Sequence, residues 1–190
     1  MQAQRLTWQE QRGDWDRKHL VFLDETAVRT NLVRRYGRSR KGERLVDSAP
    51  HGHWKTTTFI AALRSDGLTA PMALDGAMNS TTFLAYVKQV LVPTLRAGDV
   101  VVMDNLRAHK QVAVQEALAK VGASVLYLPP YSPDLNPIEL AFAKLKWLLR
   151  SAAERTVEGL WSLLGKLLDA FPPDECLRYL LHCGYHFTPP

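Results

Sequence analysis

The order of the apolar runs constrains the fold of this chain more than any other feature. Leu20-Val-Phe-Leu-Asp24, residues 56–63, residues 68–74, Val100-Val-Val-Met-Asp104 and residues 124–128 each read as a strand, being short, apolar and rich in β-branched side chains. The first three follow one another with no helical sequence between them. Ser65-Asp66-Gly67 is a hairpin turn joining the second to the third, and Pro71 marks the third as an edge strand. The later strands alternate with helical sequence. Residues 81–92 carry Phe83, Tyr86, Val87, Val90 and Leu91 at helical spacing, with Ser80 as a cap and Pro93 as a stop. Residues 110–121 repeat the pattern and close on Gly122. Helices over residues 137–150, 157–170 and 174–183 complete the chain, the last two split by Pro172-Pro173. Hairpin-linked strands pair antiparallel, and strands joined through helices pair parallel. The expected architecture is an α/β mixed five-stranded sheet flanked by helices.

At 190 residues with 46% apolar and 23% charged side chains, the chain suits one domain with a sizeable core and is not disordered. Its net charge of +5 is unevenly spread. Seven basic residues, among them Arg34, Arg35 and Arg38, fall between Arg29 and Arg44 against the single acid Glu43. Such local density suits a polyanion better than a small neutral substrate. The two cysteines, Cys176 and Cys183, lie seven apart on one face of a helical stretch and suit a reducing compartment. With no secretory signal and no apolar run of membrane-spanning length, a soluble cytoplasmic protein is expected.

Two of the strands end in aspartate. Sites in open α/β sheets gather at the carboxyl ends of strands. If the strands ending at Asp24 and Asp104 are neighbours, two carboxylates share one rim, where their mutual repulsion calls for a proton or a cation. Hard divalent cations prefer oxygen ligands, and a pair of them can activate water and stabilise the leaving oxygen of a phosphodiester. Glu139 is the third candidate. Asn136-Pro-Ile-Glu139 also reads as a capping box, with Asn136 as N-cap and Glu139 at the third helical position. Against that, Phe142 and Ala143 stand at i+3 and i+4, so no basic partner neutralises Glu139. Lys146 and Arg150 continue its face, an arrangement suited to a metal and a DNA phosphate. Asp75 and Asp99 read as ordinary turn or capping residues.

Three segments carry a family resemblance: Val21-Phe-Leu-Asp24-Glu-Thr, Val101-Val-Met-Asp104-Asn-Leu-Arg-Ala-His109-Lys and Tyr127-Leu-Pro-Pro-Tyr-Ser-Pro-Asp-Leu-Asn-Pro-Ile-Glu139. They resemble the DDE endonuclease domain of mariner-type transposases, in particular the bacterial insertion-sequence branch, family six-thirty. The 34 residues between Asp104 and Glu139 match that branch's spacing. The resemblance implies an RNase H-like fold over residues 20–184, two Mg²⁺ or Mn²⁺ ions held by Asp24, Asp104 and Glu139, and DNA cleavage and strand transfer in transposition. Cleavage would expose a 3′-hydroxyl that attacks target DNA, usually at a TA step. The implied partners are transposon ends and target DNA, with a homodimer in the transposition complex and no membrane. The location would be cytoplasmic, on the nucleoid when DNA is bound. Glu25, Asn105, His109 and Lys110 would support the acids or contact DNA.

Two departures stand out. Family members carry a helix-turn-helix region ahead of this domain, and residues 1–19 read instead as a helical lead-in with Trp8 and Trp15 as isolated anchors, the remnant of a linker to a missing DNA-binding domain; the chain reads either as the downstream frame of a split transposase, with that domain supplied by an upstream frame, or as a truncated copy. Residues 185–190 read as a tail. Arg107 stands where a small residue is expected, crowding the metal rim or adding a phosphate contact. A non-catalytic DNA-binding or regulatory fragment is the alternative function, and an RNase H-type hydrolase of RNA–DNA hybrids shares the acids without the proline-rich motif. His51-Gly-His53-Trp54 lacks a third zinc ligand, and Trp54 is expected to be buried. Cys176, His182, Cys183 and His186 do not match zinc spacing and read as helix packing plus tail.

Overall fold

Ten consecutive residues, Leu20–Arg29, form the central strand β1, with hydrogen-bonded neighbours on both sides. The computed structural model describes residues 2–34, 36–46, 48, 51 and 53–186. β2 (Thr56–Arg64) and β3 (Gly67–Asp75) form the hairpin, and β4 (Val100–Met103) and β5 (Ser124–Tyr127) are the short later strands. The sheet order is β3-β2-β1-β4-β5. β1 pairs antiparallel with β2 and parallel with β4, and β4 pairs parallel with β5. The expected mixed five-stranded sheet is what forms, with the Pro71 strand at its edge.

The helices are α1 (Gln2–Gln11), α2 (Ser80–Tyr86), α3 (Val112–Ala119), α4 (Ile138–Ala152), α5 (Val157–Leu167) and α6 (Pro173–His182). Alternation along β1 sorts them into two layers. Leu20, Phe22 and Val28 face a core built with Phe142 and Leu145 of α4, Leu160 of α5 and Leu180 of α6. Val21 and Leu23 face Phe83 of α2 and Leu118 of α3. Each such buried apolar side chain contributes roughly 1.5–3 kcal/mol. Phe59 of β2 meets Phe142 edge-on at 6.2 Å, fixing α4 over the sheet.

Several expectations need correction. β1 does not stop at Asp24 but runs five residues further, because β2 continues to pair with it as far as Arg29↔Thr56. The cap of α2 is Asn79, whose side chain accepts from the Thr82 amide at 2.9 Å, and not Ser80. The single helix expected over 81–92 breaks into α2, a π-turn at Val87–Leu91 and a 3-10 turn at Val92–Thr94, with Val87 and Leu91 both buried. The lead-in is part of the core: Trp8 is buried, meets Trp15 at 4.8 Å, and donates to the Tyr185 hydroxyl at 3.0 Å. Tyr185, read as the start of a tail, is fully buried and donates in turn to the Leu135 carbonyl at 2.7 Å. Asp99 has the expected turn role, accepting from the Arg96 amide at 2.7 Å, but it is also 1% exposed and paired with Arg64 of β2 at 2.5 Å.

Candidate active site

β1 and β4 run parallel with Phe22 opposite Val102. Carrying that register on by two residues sets Asp24 beside Asp104, which directly follows β4. Both side chains share the face of Phe22 and Val102, the side on which α4 packs. Glu139, the second residue of α4, is exposed in that helix's first turn, where the partial positive charge of the helix end favours an acid. All three line one cleft of about 670 Å³. The same cleft takes in Asn105 and Lys110, both exposed, and Asn136.

Protein partners hold two of the acids. Asp24 accepts from the Glu25 amide at 2.7 Å and from Asn136 Nδ2 at 2.9 Å. Asp104 accepts from the Leu106 amide at 3.2 Å and stands 2.5 Å from His109 Nδ1. Glu25 points to the opposite layer, where its Oε2 lies 3.6 Å from His109 Nε2. His109 is therefore a buried bridge between Asp104 and Glu25, with the Phe83 ring 4.3 Å away. The Nδ1 approach to Asp104 is close but off the line of the ring N–H, so it is a charge contact more than a hydrogen bond. His109 Nδ1, Glu25 Oε2 and Asn136 Oδ1 are the buried side-chain atoms among the described residues that lack an aligned partner, and all three belong to this site.

The electrostatics follow from this crowding. Burial, joined by the charges of Glu139, Asp104 and Glu25, raises Asp24 to about 7 against the opposing pull of the Glu25 amide. Burial lowers His109, but contact with Asp104 and Glu25 more than offsets this and raises it to about 9. The donors at the cleft are carboxylate and amide oxygens, the set a hard divalent cation prefers. Asp24 is desolvated amid three other acids, a position a cation would relieve. Among the described residues, however, no three His, Cys, Asp or Glu side chains stand close enough to share one ion. The acids converge on the cleft without forming a closed ligand set.

The capping-box reading of Asn136 is overturned. α4 begins at Ile138 with no side-chain cap, and Asn136, 3% exposed, turns its amide to Asp24 instead. Sequence reasoning saw this residue but assigned it the local role, because nothing in the chain signals how close Asp24 comes. Lys146 and Arg150 share Glu139's helix face but do not line the cleft. Arg34 reaches the Ser151 hydroxyl at 3.0 Å, and Arg38 is exposed. Arg35 and the Arg107 side chain lie outside the described residues. Trp54, expected to be buried, is 52% exposed, and His51 and His53 are exposed beside it. Cys176 and Cys183 are both buried in the α4 layer as packing residues.

Among solved structures, the fold resembles a pre-cleavage Mos1 transpososome, with TM-score 0.78, 17% identity, and 96% of this chain and 57% of that chain covered. It also resembles the Mos1 mariner paired end complex with Mn, with TM-score 0.74, 18% identity, and 96% and 57% covered. The catalytic domain of Mos1 mariner transposase gives TM-score 0.69, 17% identity, and 96% and 85% covered. The chain thus spans little more than half the length of the first two, and the shared feature is the RNase H-like fold. No curated protein matches it. The family model of the DDE superfamily endonuclease matches residues 19–160, well over half of the sequence, and the protein belongs to that family.

Proposed function

We propose that this chain is the catalytic domain of an insertion-sequence transposase, carrying out metal-dependent cleavage and strand transfer of DNA. The observation that carries the reading is the register of β1 on β4, which sets Asp24 beside Asp104 on the cleft that Glu139 also lines. Asp24, Asp104 and Glu139 would hold two divalent ions, Mg²⁺ or Mn²⁺. When bound, the ions supply Lewis-acid activation of a water or 3′-hydroxyl and stabilisation of the leaving oxygen. Asn136 orients Asp24 through its Nδ2–H, and His109 holds Asp104 between the two layers. Lys110, exposed on the cleft wall near the Tyr127 ring, is placed to meet a phosphate. The finer expectations are DNA ends and TA targets as substrates, a homodimer, a helix-turn-helix region supplied from an upstream frame, and the bacterial family six-thirty branch. A cytoplasmic site of action goes with this reading; no helix among the described residues is long and apolar enough to cross a membrane.

The open arrangement of the acids favours one second reading, a DNA-binding fragment that does not cut. A single assay separates the two. With Mn²⁺ and DNA carrying the element's ends, the wild-type chain nicks, and Asp104→Asn abolishes nicking while circular dichroism stays unchanged. Salt-sensitive DNA binding with no nicking by wild-type protein would establish the non-catalytic reading.

A further inference from the structure

The three acids reach the cleft from two different units. Asp24 and Asp104 are placed by the register of β1 on β4. Glu139 stands on α4, and its place depends on the segment that leads into that helix. Between β5 and α4 the regular structure is a single 3-10 turn, Pro133–Leu135. Four of the nine residues 129–137 are prolines, which offer no backbone N–H. Single hydrogen bonds carry the segment along: Leu135 donates its amide to the Ser132 carbonyl at 3.1 Å, Asn136 to Pro133 at 3.0 Å, and Glu139 to Asn136 at 3.2 Å. A shift at Ser132 or Asp134 therefore passes on to Asn136, which holds Asp24, and to Glu139.

α1 supplies the outside hold. Arg5 grips the residue before the 3-10 turn and the one in the middle of it. Its Nη1 donates to Ser132 Oγ at 2.7 Å and to Asp134 Oδ1 at 2.9 Å, and its Nη2 donates to Asp134 Oδ2 at 2.7 Å. One helical turn on, Trp8 reaches the same segment through Tyr185, whose hydroxyl donates to the Leu135 carbonyl. Trp8 is a buried packing residue. Arg5 is not: its side chain is 31% exposed and that of Asp134 is 56% exposed, so their pairing adds little to stability. What a planar guanidinium fork on a carboxylate supplies is a fixed orientation. From this we infer that Arg5 is a positioning residue for the metal site: it clasps the segment ahead of α4 so that Asn136 and Glu139 are held at the cleft. The inference rests on the metal-binding role proposed above for the acids.

The sign of one measurement separates a clasp from a charge effect. Arg5→Ala removes a cation and frees the Asp134 carboxylate, so electrostatics alone would strengthen the binding of a divalent cation nearby. Loss of the clasp weakens it. Isothermal titration of the full chain with Mn²⁺, without DNA, should show Arg5→Ala binding about ten-fold more weakly than wild type, the low end of what groups behind metal ligands contribute. The metal-free melting temperature should stay near the wild-type value, because Trp8 keeps α1 docked. In Arg5→Ala/Asn136→Ala the loss of affinity should be smaller than the sum of the single losses, since Arg5 acts in part through Asn136. Mn²⁺ affinity in Arg5→Ala that equals or exceeds wild type overturns the inference. So do losses that simply add, which would mean separate routes, and a melting temperature that falls as far as in Trp8→Ala, which would make Arg5 a stability residue. Wild-type protein that binds no Mn²⁺ overturns the positioning role and the metal-dependent function together.

Discussion

Asn136 and His109 each spend a buried polar side chain on one acid of the cleft, so their loss should be felt through those acids. Asn136→Ala removes the Nδ2 donor from Asp24. Groups that orient ligating carboxylates typically matter about 10–100-fold in metal affinity or activity, and isothermal titration with Mn²⁺ should show a loss in that range. Proton linkage gives a second prediction. In the folded, metal-free chain Asp24 sits at about 7 against an ordinary 3.8, and His109 at about 9 against 6.5. Both are raised, so both contribute stability that is full below the ordinary value and lost as pH rises through the folded one. In EDTA the melting temperature should therefore fall from about pH 4 to 7 through Asp24 and from about pH 6.5 to 9 through His109. Asp24→Asn flattens the lower stage and His109→Gln the upper, while saturating Mn²⁺ reverses the slope because it binds the ionised acids. A flat profile in EDTA for the wild-type chain would contradict both assignments. Asp24 and Asp104 were legible as the acids that close apolar runs, although only Asp104 stands at a strand end. The role of Asn136 was not, because a cap is decided by neighbours three residues away and this hydrogen bond joins residues far apart in the chain.

The elements carry tests of their own. α1 reads in sequence as a polar lead-in, because a lone tryptophan on a polar helix announces no core. Its hydrogen-bond partner Tyr185 lies at the other end of the described chain. Trp8→Ala should cost about 3–5 kcal/mol, measured by urea unfolding. Arg5→Ala, which breaks a partly exposed pair with Asp134, should lower the urea midpoint far less than Trp8→Ala does. At the far end of β4 from the cleft, Asp99→Asn leaves Arg64 buried without its charge partner and should cost about 3–5 kcal/mol. Nicking per folded molecule should be unchanged in that variant, which separates stability from chemistry. The hairpin, the edge strand and the crossover helices were all readable from turns, prolines and periodicity. The true length of β1 was not, because polar residues beyond Asp24 pair with β2 without forming an apolar run.

Across the whole molecule, charge and topology act together. The exposed stretch with Arg38, Arg40 and Lys41 lies in the segment between β1, which carries Asp24, and β2, which pairs with it. Replacing these three by alanine should weaken DNA binding uniformly across sequences, and the slope of log affinity against log salt should shallow by about one for each phosphate no longer neutralised. Equal affinity and slope in the triple variant would remove this segment from the DNA path. The mixed sheet was legible because hairpins and crossovers leave few ways to order five strands. How nearly the acids approach a shared ion was not, since that depends on side-chain partners no periodicity encodes.

Asp24 and Glu25 are consecutive, and β1 sends one to each layer. The strand thus works as a reading frame with an acid at both registers. Deleting a single residue upstream, such as Val21, would turn every later side chain of β1 over. Glu25 would then lie beneath α4 with a stem one methylene longer than the aspartate it replaced, and His109 would face Thr26 with no second carboxylate to hold it. The first half of β1 therefore tolerates exchange of one apolar side chain for another far better than any change in its length.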